Sequence, residues 1–332
     1  MKKLISMIIA AVMTVCFLTA CANDANSNAD VKDDAKKISV VTTIFPEYDW
    51  VKNIVGDDEP HVELTMLLDN GVDLHSYQPT AADILKISTC DVFIYVGGES
   101  DEWVEDALKE ATNKDMKVIN LMDVLGENVK EEEIVEGMQA EEEVEDEGGE
   151  EEEVEYDEHV WLSLKNACKI CDTITESLCV VDPVDADHYR ANKEAYVKQL
   201  SDLDAKYKEV ADSAKVKTLL FGDRFPFRYM TDDYGLDYYA AFVGCSAETE
   251  ASFETIVFLS KKVDELGLGT IMTIEGSDGK IAETIKQNTA NKDQKILILD
   301  SMQSVTANDV KGGASYITIM QDNLEVLKQA LN

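Results

Sequence analysis

Basic residues are scarce in this sequence. It has 30 Lys and Arg against 67 Asp and Glu, which gives a formal net charge of -37 at pH 7. A surface this acidic repels the phosphates of nucleic acids and anionic membrane surfaces, and it attracts cations. The charge therefore argues against a nucleic-acid partner and favours a positively charged ligand.

The common enzyme signatures are also missing. The chain contains no HExxH, no GxSxG, no P-loop and no GxGxxG after a strand. A secreted zinc hydrolase stays open as an alternative, because Glu275 could act as the general base beside a metal-bound water. No compact catalytic motif supports it, so the sequence favours a binding protein over an enzyme.

The sequence has few cysteines, and their spacing shows no paired pattern. Seven are present, and Cys16 and Cys21 belong to the first residues of the chain. Cys168 and Cys171 form a CxxC, but the surrounding "LKNACKICDTITESL" has helical periodicity and no second CxxC completes a four-thiolate zinc site. We therefore expect these two thiols to be packing residues.

The first twenty residues have the pattern of a secretory signal. "MKK" is followed by an apolar run from Leu4 to Ala20, too short for a comfortable membrane span. The run ends in "LTAC", which resembles a lipobox and predicts lipidation of Cys21; the alternative is an ordinary signal with a chance cysteine. Residues 21–36 are polar and predict a flexible tether. The mature protein is thus expected outside the cytoplasmic membrane, held to it by lipid.

Strand and helix patterns alternate along the rest of the chain. A length of 332 residues favours two domains. Alternation predicts an α/β fold of two similar lobes with mostly parallel sheets, residues 37–183 and 215–332. Between them, residues 184–214 have apolar residues at three- and four-residue spacing without Gly or Pro, which predicts one long connecting helix.

An acidic tract interrupts the first lobe. Residues 131–158 contain seventeen Asp and Glu and no basic residue. The shortage of apolar side chains predicts a disordered, solvated loop. It could serve only solubility, or it could collect cations weakly beside a metal site; the sequence leaves both open.

Several motifs, in order, resemble one family: the solute-binding lipoproteins of zinc and manganese ABC importers. They are the opening "VVTTIFPEYDWVKNIVG", the His loop and following segment "GVDLHSYQPTAADILKISTCDVFIYVGGESDEW", "DEHVWLSLKNA" after the acidic tract, "HYRANKEAYVKQLSDLDAKY" and the final "YITIMQDNLEVLKQAL". Together they span about 290 residues. The resemblance implies the fold of metal-type periplasmic binding proteins, with a metal bound between the lobes.

By this resemblance His75 and His159 are the metal ligands of the first lobe. A neutral imidazole suits Zn(II) and Mn(II), and Tyr77 and Pro79 stiffen the His75 loop. Asp300, at the end of "KILILD", matches the family's C-terminal Asp ligand, although an Asp after a strand can also cap a helix. His61 and His188 match no ligand position and are expected to be surface or packing residues.

The sequence differs from the family pattern at the position of the fourth metal ligand. Aligning "FGDRFPFRYMTDDYGL" on its aromatic residues puts Arg224 at the ligand position, and a guanidinium cannot coordinate a cation. Asp223, one residue earlier, is the predicted substitute. Glu275, Glu248 and Glu250 are the weaker candidates.

The resemblance implies a monomer that captures Zn(II), or Mn(II), and delivers it to the permease of an ABC transporter. Two His with one or two carboxylates suit zinc first, and manganese if the coordination number exceeds four. An adhesin that displays the same fold is the other alternative. The long connecting helix should allow only a small relative motion of the lobes.

Overall fold

The computed structural model describes residues 37–56, 61–139, 155–246 and 250–332. The tether, Cys21 and residues 140–154 of the acidic tract lie outside these ranges. The elements of the first half, in chain order, are β1 Ile38–Thr42, α1 Phe45–Val55, β2 Val62–Met66, α2 Ala81–Thr89, β3 Val92–Tyr95, α3 Trp103–Lys109, β4 Lys117–Asn120, α4 Leu121–Leu125, α5 Leu164–Val181 and α6 Ala186–Ser213.

The second half repeats the alternation. Its elements are β5 Thr218–Phe225, α7 Arg228–Tyr234, β6 Asp237–Val243, α8 Phe253–Leu266, β7 Thr270–Ile274, α9 Lys280–Asn288, β8 Lys295–Leu299, α10 Ala307–Lys311 and α11 Tyr316–Ala330. Short 3-10 helices lie at Leu74–Ser76, Glu99–Asp101, Gly126–Asn128 and Val160–Leu162.

Each half contains one four-stranded parallel sheet. The strand orders, β2-β1-β3-β4 and β6-β5-β7-β8, are the same pattern repeated, which confirms the predicted α/β fold of two similar lobes. In parallel sheets the carboxyl ends of all strands lie at one edge. The loops that follow the strands therefore present their side chains at that edge in each half.

The helix α6 occupies the range predicted for the long connection. It packs on α1 and α5 of the first half and on α7 and α11 of the second. Its buried face is Tyr189, Tyr196, Leu200, Leu203 and Tyr207. Residues 37–332 form one compact unit, and one cluster of buried apolar residues runs through both halves.

A second, smaller apolar cluster lies under α8 and α9, with Leu220, Phe242, Leu259 and Ile271 at its centre. Within the described ranges, no helix combines the length and the apolar character needed to cross a bilayer.

The two described ends of the acidic tract are paired with each other. Glu131 and Tyr156 form an antiparallel bridge, Glu132 N donates to Glu155 O at 2.9 Å, and Asp157 N donates to Lys130 O at 2.9 Å. The prediction of disorder for residues 131–158 is therefore wrong for these paired ends. These hydrogen bonds fix the chain immediately before His159.

Candidate metal centre

His75 lies on a short turn after β2. Asp73 caps the turn, because its Oδ1 accepts the His75 backbone N–H at 3.1 Å. Five residues after His75, Thr80 and Asp83 cap each other at the start of α2. Reciprocal caps of this kind satisfy the free N–H groups of a helix start. The loop is thus held on both sides of His75.

His159 is buried completely, between the acidic tract and α5. Asp157 Oδ1 accepts two hydrogen bonds from it, from the backbone N at 2.8 Å and from Nδ1 at 3.0 Å. Tyr229, from the second half, donates its hydroxyl to the Asp157 carbonyl at 2.7 Å. Trp161 Nε1 donates to the Ser301 carbonyl at 2.9 Å. The His159 segment is therefore fixed by both halves of the molecule.

The two imidazoles face each other through Nε2. Their Nε2 atoms are 3.1 Å apart. His75 Nδ1 lies 2.7 Å from Ser100 Oγ and 3.4 Å from Glu158 Oε2, while His159 Nδ1 faces Asp157. Acceptors beside both Nδ1 atoms favour the tautomer with the proton there, which leaves both Nε2 lone pairs directed at one point.

This arrangement fits a zinc-sized cation. Two imidazole nitrogens bound to one tetrahedral zinc, at 2.0–2.1 Å each, lie about 3.3 Å apart. The observed 3.1 Å between the Nε2 atoms of His75 and His159 needs a change of only a few tenths of an ångström. The carboxylates behind the rings are the kind of partner that orients metal-bound histidines.

Cys245 brings a third side chain of a metal-binding type to this point, and the sequence analysis did not select it. Its Sγ, one imidazole nitrogen of His75 and one of His159 all lie within 4.8 Å of one another. Burial and the nearby carboxylates of Asp157, Glu158 and Glu132 raise the pKa of the Cys245 thiol well above its usual range, and the Glu158 backbone N–H opposes that shift. The only sequence signal was an odd cysteine directly after a strand.

An acidic cavity of about 230 Å³ opens beside the three groups. His75, Ser100, Glu158 and Cys245 lie on its wall, together with Glu99, Glu132, Glu155 and Tyr156. Burial, and then the charges of Asp157 and Glu155, raise the pKa of Glu132 to about 7. Concentrated negative charge in a partly enclosed space attracts divalent cations.

Two carboxyl groups of the first half are buried. Glu47 and Asp101 are almost completely buried, and each has one oxygen without a hydrogen-bond partner among the described residues. Burial, reinforced by the charge of Asp101, raises the pKa of Glu47 to about 8. Burial, opposed by the backbone N–H of Gly97 and reinforced by the charge of Glu158, raises the pKa of Asp101 to about 7.

The two carboxylates predicted from the second half are placed differently. Neither Asp300 nor Asp223 belongs to the cluster of ligand atoms around His75 and His159. Asp300 Oδ1 accepts the Met302 N–H at 2.7 Å, and Asp223 accepts the backbone N–H groups of Arg224 at 2.9 Å and Ile274 at 3.4 Å. These hydrogen bonds already satisfy part of each carboxylate. The assignment of Asp300 and Asp223 as metal ligands stays a prediction.

Arg224 bridges the two halves. Its Nη2 lies 2.7 Å from Asp73 Oδ2, and its Nη1 lies 3.5 Å from the Ser246 carbonyl. The strand β5 is irregular here, with a shift of register between Phe221 and Arg224. The guanidinium therefore contacts the residue that caps the His75 turn and has no lone pair for a metal.

The weaker candidates for the fourth metal ligand differ in their surroundings. Glu275 accepts hydrogen bonds from Ser301 N at 2.6 Å, Ser301 Oγ at 2.8 Å and Gln303 N at 3.0 Å, so it fixes the loop after β8. Burial and the charge of Asp300 raise the pKa of Glu275 to about 7. Glu250 is exposed, and Glu248 lies outside the described residues.

The other histidines lie elsewhere. His61 Nε2 is 2.9 Å from Asp182 and 3.3 Å from Asp185, in an ion-pair group that also receives the Tyr189 hydroxyl. His188 is exposed on α6 and lies 3.0 Å from Asn192 Nδ2. Cys168 and Cys171 lie on α5 and form no disulfide, in agreement with a packing role.

Comparison with known proteins places the chain in a family. The family described as "ZnuA: Zinc-uptake complex component A periplasmic" matches residues 40–330. The chain belongs to this family. It is similar to the zinc-binding lipoprotein AdcA of Streptococcus pneumoniae, with 32% identity over 99% of this chain and 61% of that protein. It is also similar to the high-affinity zinc uptake system protein ZnuA of Bacillus subtilis, with 30% identity over 96% of each.

Solved structures agree with the fold of this ZnuA-family chain. The Zn(II)-bound ZnuA-like domain of Streptococcus pneumoniae AdcA is 29% identical, with a TM-score of 0.68 over 89% of this chain and 99% of that domain. The metal-dependent lipoprotein YcdH of Bacillus subtilis is 27% identical, with a TM-score of 0.72 over 89% of this chain and all of that one. The chain spans about three fifths of the AdcA proteins that it matches, and nearly all of the Bacillus protein.

Proposed function

We propose that this ZnuA-family chain captures Zn(II) outside the cytoplasmic membrane and delivers it to an ABC permease. The observation that carries the proposal is the converging pair of Nε2 atoms, 3.1 Å apart, with an acceptor behind each ring. Such a pair has no role in packing, because two lone pairs directed at one point repel each other until a cation or a proton lies between them. The zinc-binding names of the relatives support the choice of ion.

Binding and release depend on the cleft between the halves. His75 and His159 come from loops of the first half, and Gly244, Cys245 and Arg224 come from the second. The acidic cavity beside them brings the hydrated ion to the site by its charge. Because imidazole nitrogens prefer zinc to the harder Mn(II) at comparable availability, we expect zinc to bind more tightly than manganese.

Metal binding is tested by linkage to stability. Zinc at a thousand times its dissociation constant should add about 4 kcal/mol to the free energy of unfolding, which raises the melting temperature by on the order of 10 °C. His159→Gln should lose this shift. His188→Gln, at an exposed histidine of α6, is the matched control and should keep it. Wild-type protein whose melting temperature does not move with zinc would refute the proposal.

The lipid anchor is a separate part of the proposal. The "LTAC" sequence supports lipidation of Cys21, and the name of the AdcA relative includes the word lipoprotein. Cys21→Ala should release the protein from the membrane fraction into the medium or periplasm and abolish incorporation of labelled palmitate. A variant that stays in the membrane and stays labelled would contradict the anchor.

Transport is tested in cells. Deletion of the gene should slow growth under zinc limitation, and added zinc should restore it. Growth that does not depend on the gene or on zinc would favour an adhesin. Hydrolysis of model ester or peptide substrates by the zinc-loaded protein, lost in His159→Gln, would favour the hydrolase alternative.

A further inference from the structure

We infer that the Cys245 thiolate is the third protein ligand of this metal site, and that the site therefore selects thiophilic ions of the zinc class. The inference rests on the proposed function, since it names a ligand of the same site. It departs from the ligand set that the sequence predicts, in which Asp300 and Asp223 complete the site.

The first argument is geometric. One ligand atom each of His75, His159 and Cys245 lies within 4.8 Å of the other two. In a tetrahedral zinc site with Zn–S of about 2.3 Å and Zn–N of about 2.0–2.1 Å, sulfur and nitrogen lie roughly 3.5 Å apart. Since the distances are at most 4.8 Å, a movement of the cysteine turn by about 1.3 Å or less brings Sγ to that distance.

The position of the cysteine turn is fixed by the backbone. Gly244 packs directly on His159: a Cβ at this position would lie 2.8 Å from His159 Cε1. Ser246 N then donates to the Val243 carbonyl at 3.4 Å and closes the turn. The absence of a side chain at residue 244 therefore lets the strand end approach the imidazole, and the next residue carries the thiol.

The surroundings of Cys245 differ from those of the other cysteines. Cys90 and Cys171 lie in the apolar core, and Cys90 donates to the Ile87 carbonyl. Cys245 instead lies on the wall of the acidic cavity, beside Glu132 and Glu158. A thiol among carboxylates packs poorly, whereas a dication held by the thiolate neutralises the negative charge around it.

Three other polar groups of the second half are engaged in other contacts. Arg224 pairs with Asp73 at 2.7 Å, Glu275 accepts three hydrogen bonds from the loop after β8, and Asp223 accepts two backbone N–H groups. A sulfur ligand then decides the selectivity, because thiolates favour zinc, cadmium or copper(I) and disfavour manganese, magnesium and calcium.

Cobalt(II) substitution tests the inference. The Co(II)-loaded wild-type protein should show a thiolate-to-cobalt charge-transfer band in the near ultraviolet, which histidine and carboxylate ligands do not produce. Cys245→Ser should lose the band and bind zinc about 10–100-fold more weakly or worse. Cys168→Ser, a half-buried cysteine of α5, is the matched control and should keep both.

The outcomes separate the two proposals. Tight one-to-one zinc binding without the band, or a Cys245→Ser variant with wild-type affinity, overturns the cysteine ligand and leaves zinc capture standing. Wild-type protein that binds neither cobalt nor zinc overturns both. If Cys245→Ser does not fold, X-ray absorption of the zinc-loaded wild-type protein decides: one sulfur at about 2.3 Å is expected, and a first shell without sulfur overturns the inference.

Discussion

A single methyl group at Gly244 should disrupt the metal site. A Cβ at this position would lie 2.8 Å from His159 Cε1, 3.0 Å from His159 Nδ1 and 3.0 Å from the Phe225 carbonyl oxygen. Carbon atoms in contact are normally about 3.5–4.0 Å apart. Gly244→Ala therefore requires a displacement of about 0.7 Å or more, by the imidazole, by the strand end or by both.

The imidazole has little room to move. Asp157 holds its Nδ1 at 3.0 Å, the Trp161 ring centroid lies 5.2 Å away, and His75 faces it on the third side. Ligand distances in metal sites hold to about ±0.2 Å, so this displacement exceeds what the site tolerates. We expect zinc affinity to fall about 10–100-fold, or about 1.4–2.7 kcal/mol. The metal-free protein should lose about 1–3 kcal/mol of stability from overpacking.

The assay is competition for zinc against a chromophoric chelator, with melts of the metal-free proteins beside it. Gly269→Ala is the matched control, because a Cβ there meets no heavy atom within 4 Å. It should leave zinc affinity unchanged. Wild-type affinity in Gly244→Ala would refute the close packing of the strand end on His159, and with it the placement of the cysteine turn.

Three further predictions follow from other contacts. Burial raises the pKa of Glu47 to about 8 in the folded protein. The Glu47 carboxyl therefore keeps its proton in the folded protein at pH values above about 4.5, where the unfolded chain loses it. The free energy of unfolding that Glu47 contributes at low pH is lost as the pH rises toward 8, at up to about 1.4 kcal/mol per pH unit. Glu47→Gln should flatten this dependence in urea denaturation with chelator at pH 5 and pH 8, and an unchanged slope would contradict it. Arg224→Ala removes a positive charge beside the candidate metal site and leaves Asp73 unpaired. Zinc should then bind a few-fold more tightly in the same competition assay. Weaker binding would show that the ion pair between Arg224 and Asp73 chiefly positions His75. Deletion of residues 141–153, ten of which are Asp or Glu, should remove weak extra zinc sites in calorimetry and keep the tight site, because carboxylates alone bind zinc weakly. Loss of the tight binding phase would make the tract part of the site.

Local patterns carried most of the fold prediction. Strands such as Ile38–Thr42 are runs of apolar and β-branched residues, which the alternation of patterns indicates. The long helix shows its period directly in the sequence, so it was predicted at nearly the observed bounds. His75 and His159 were predicted from quoted motifs, and the structure brings their Nε2 atoms together. Each of these inferences depends on residues close in sequence.

Cys245 could not be found in the same way. Its neighbours in sequence form no metal-binding pattern, and its partners His75 and His159 are 170 and 86 residues away by residue number. Its role depends on Gly244 packing against His159, which is a tertiary contact. The prediction of Asp223 had a similar weakness, because the register shift in β5 decides which way residues 223 and 224 face.

The contacts around His159 also limit how far the halves can separate. The Trp161 indole donates to Ser301, the Tyr316 hydroxyl donates to the Trp161 carbonyl at 2.6 Å, and Tyr229 donates to Asp157. All three hydrogen bonds join the His159 segment to the second half without involving a metal ligand atom. Together with α6, which packs on both halves, they hold the His159 segment against the second half. For the proposed function, we therefore expect metal binding to need small local shifts at His75 and at the cysteine turn, and metal release to need movement of those same loops rather than a wide opening of the cleft.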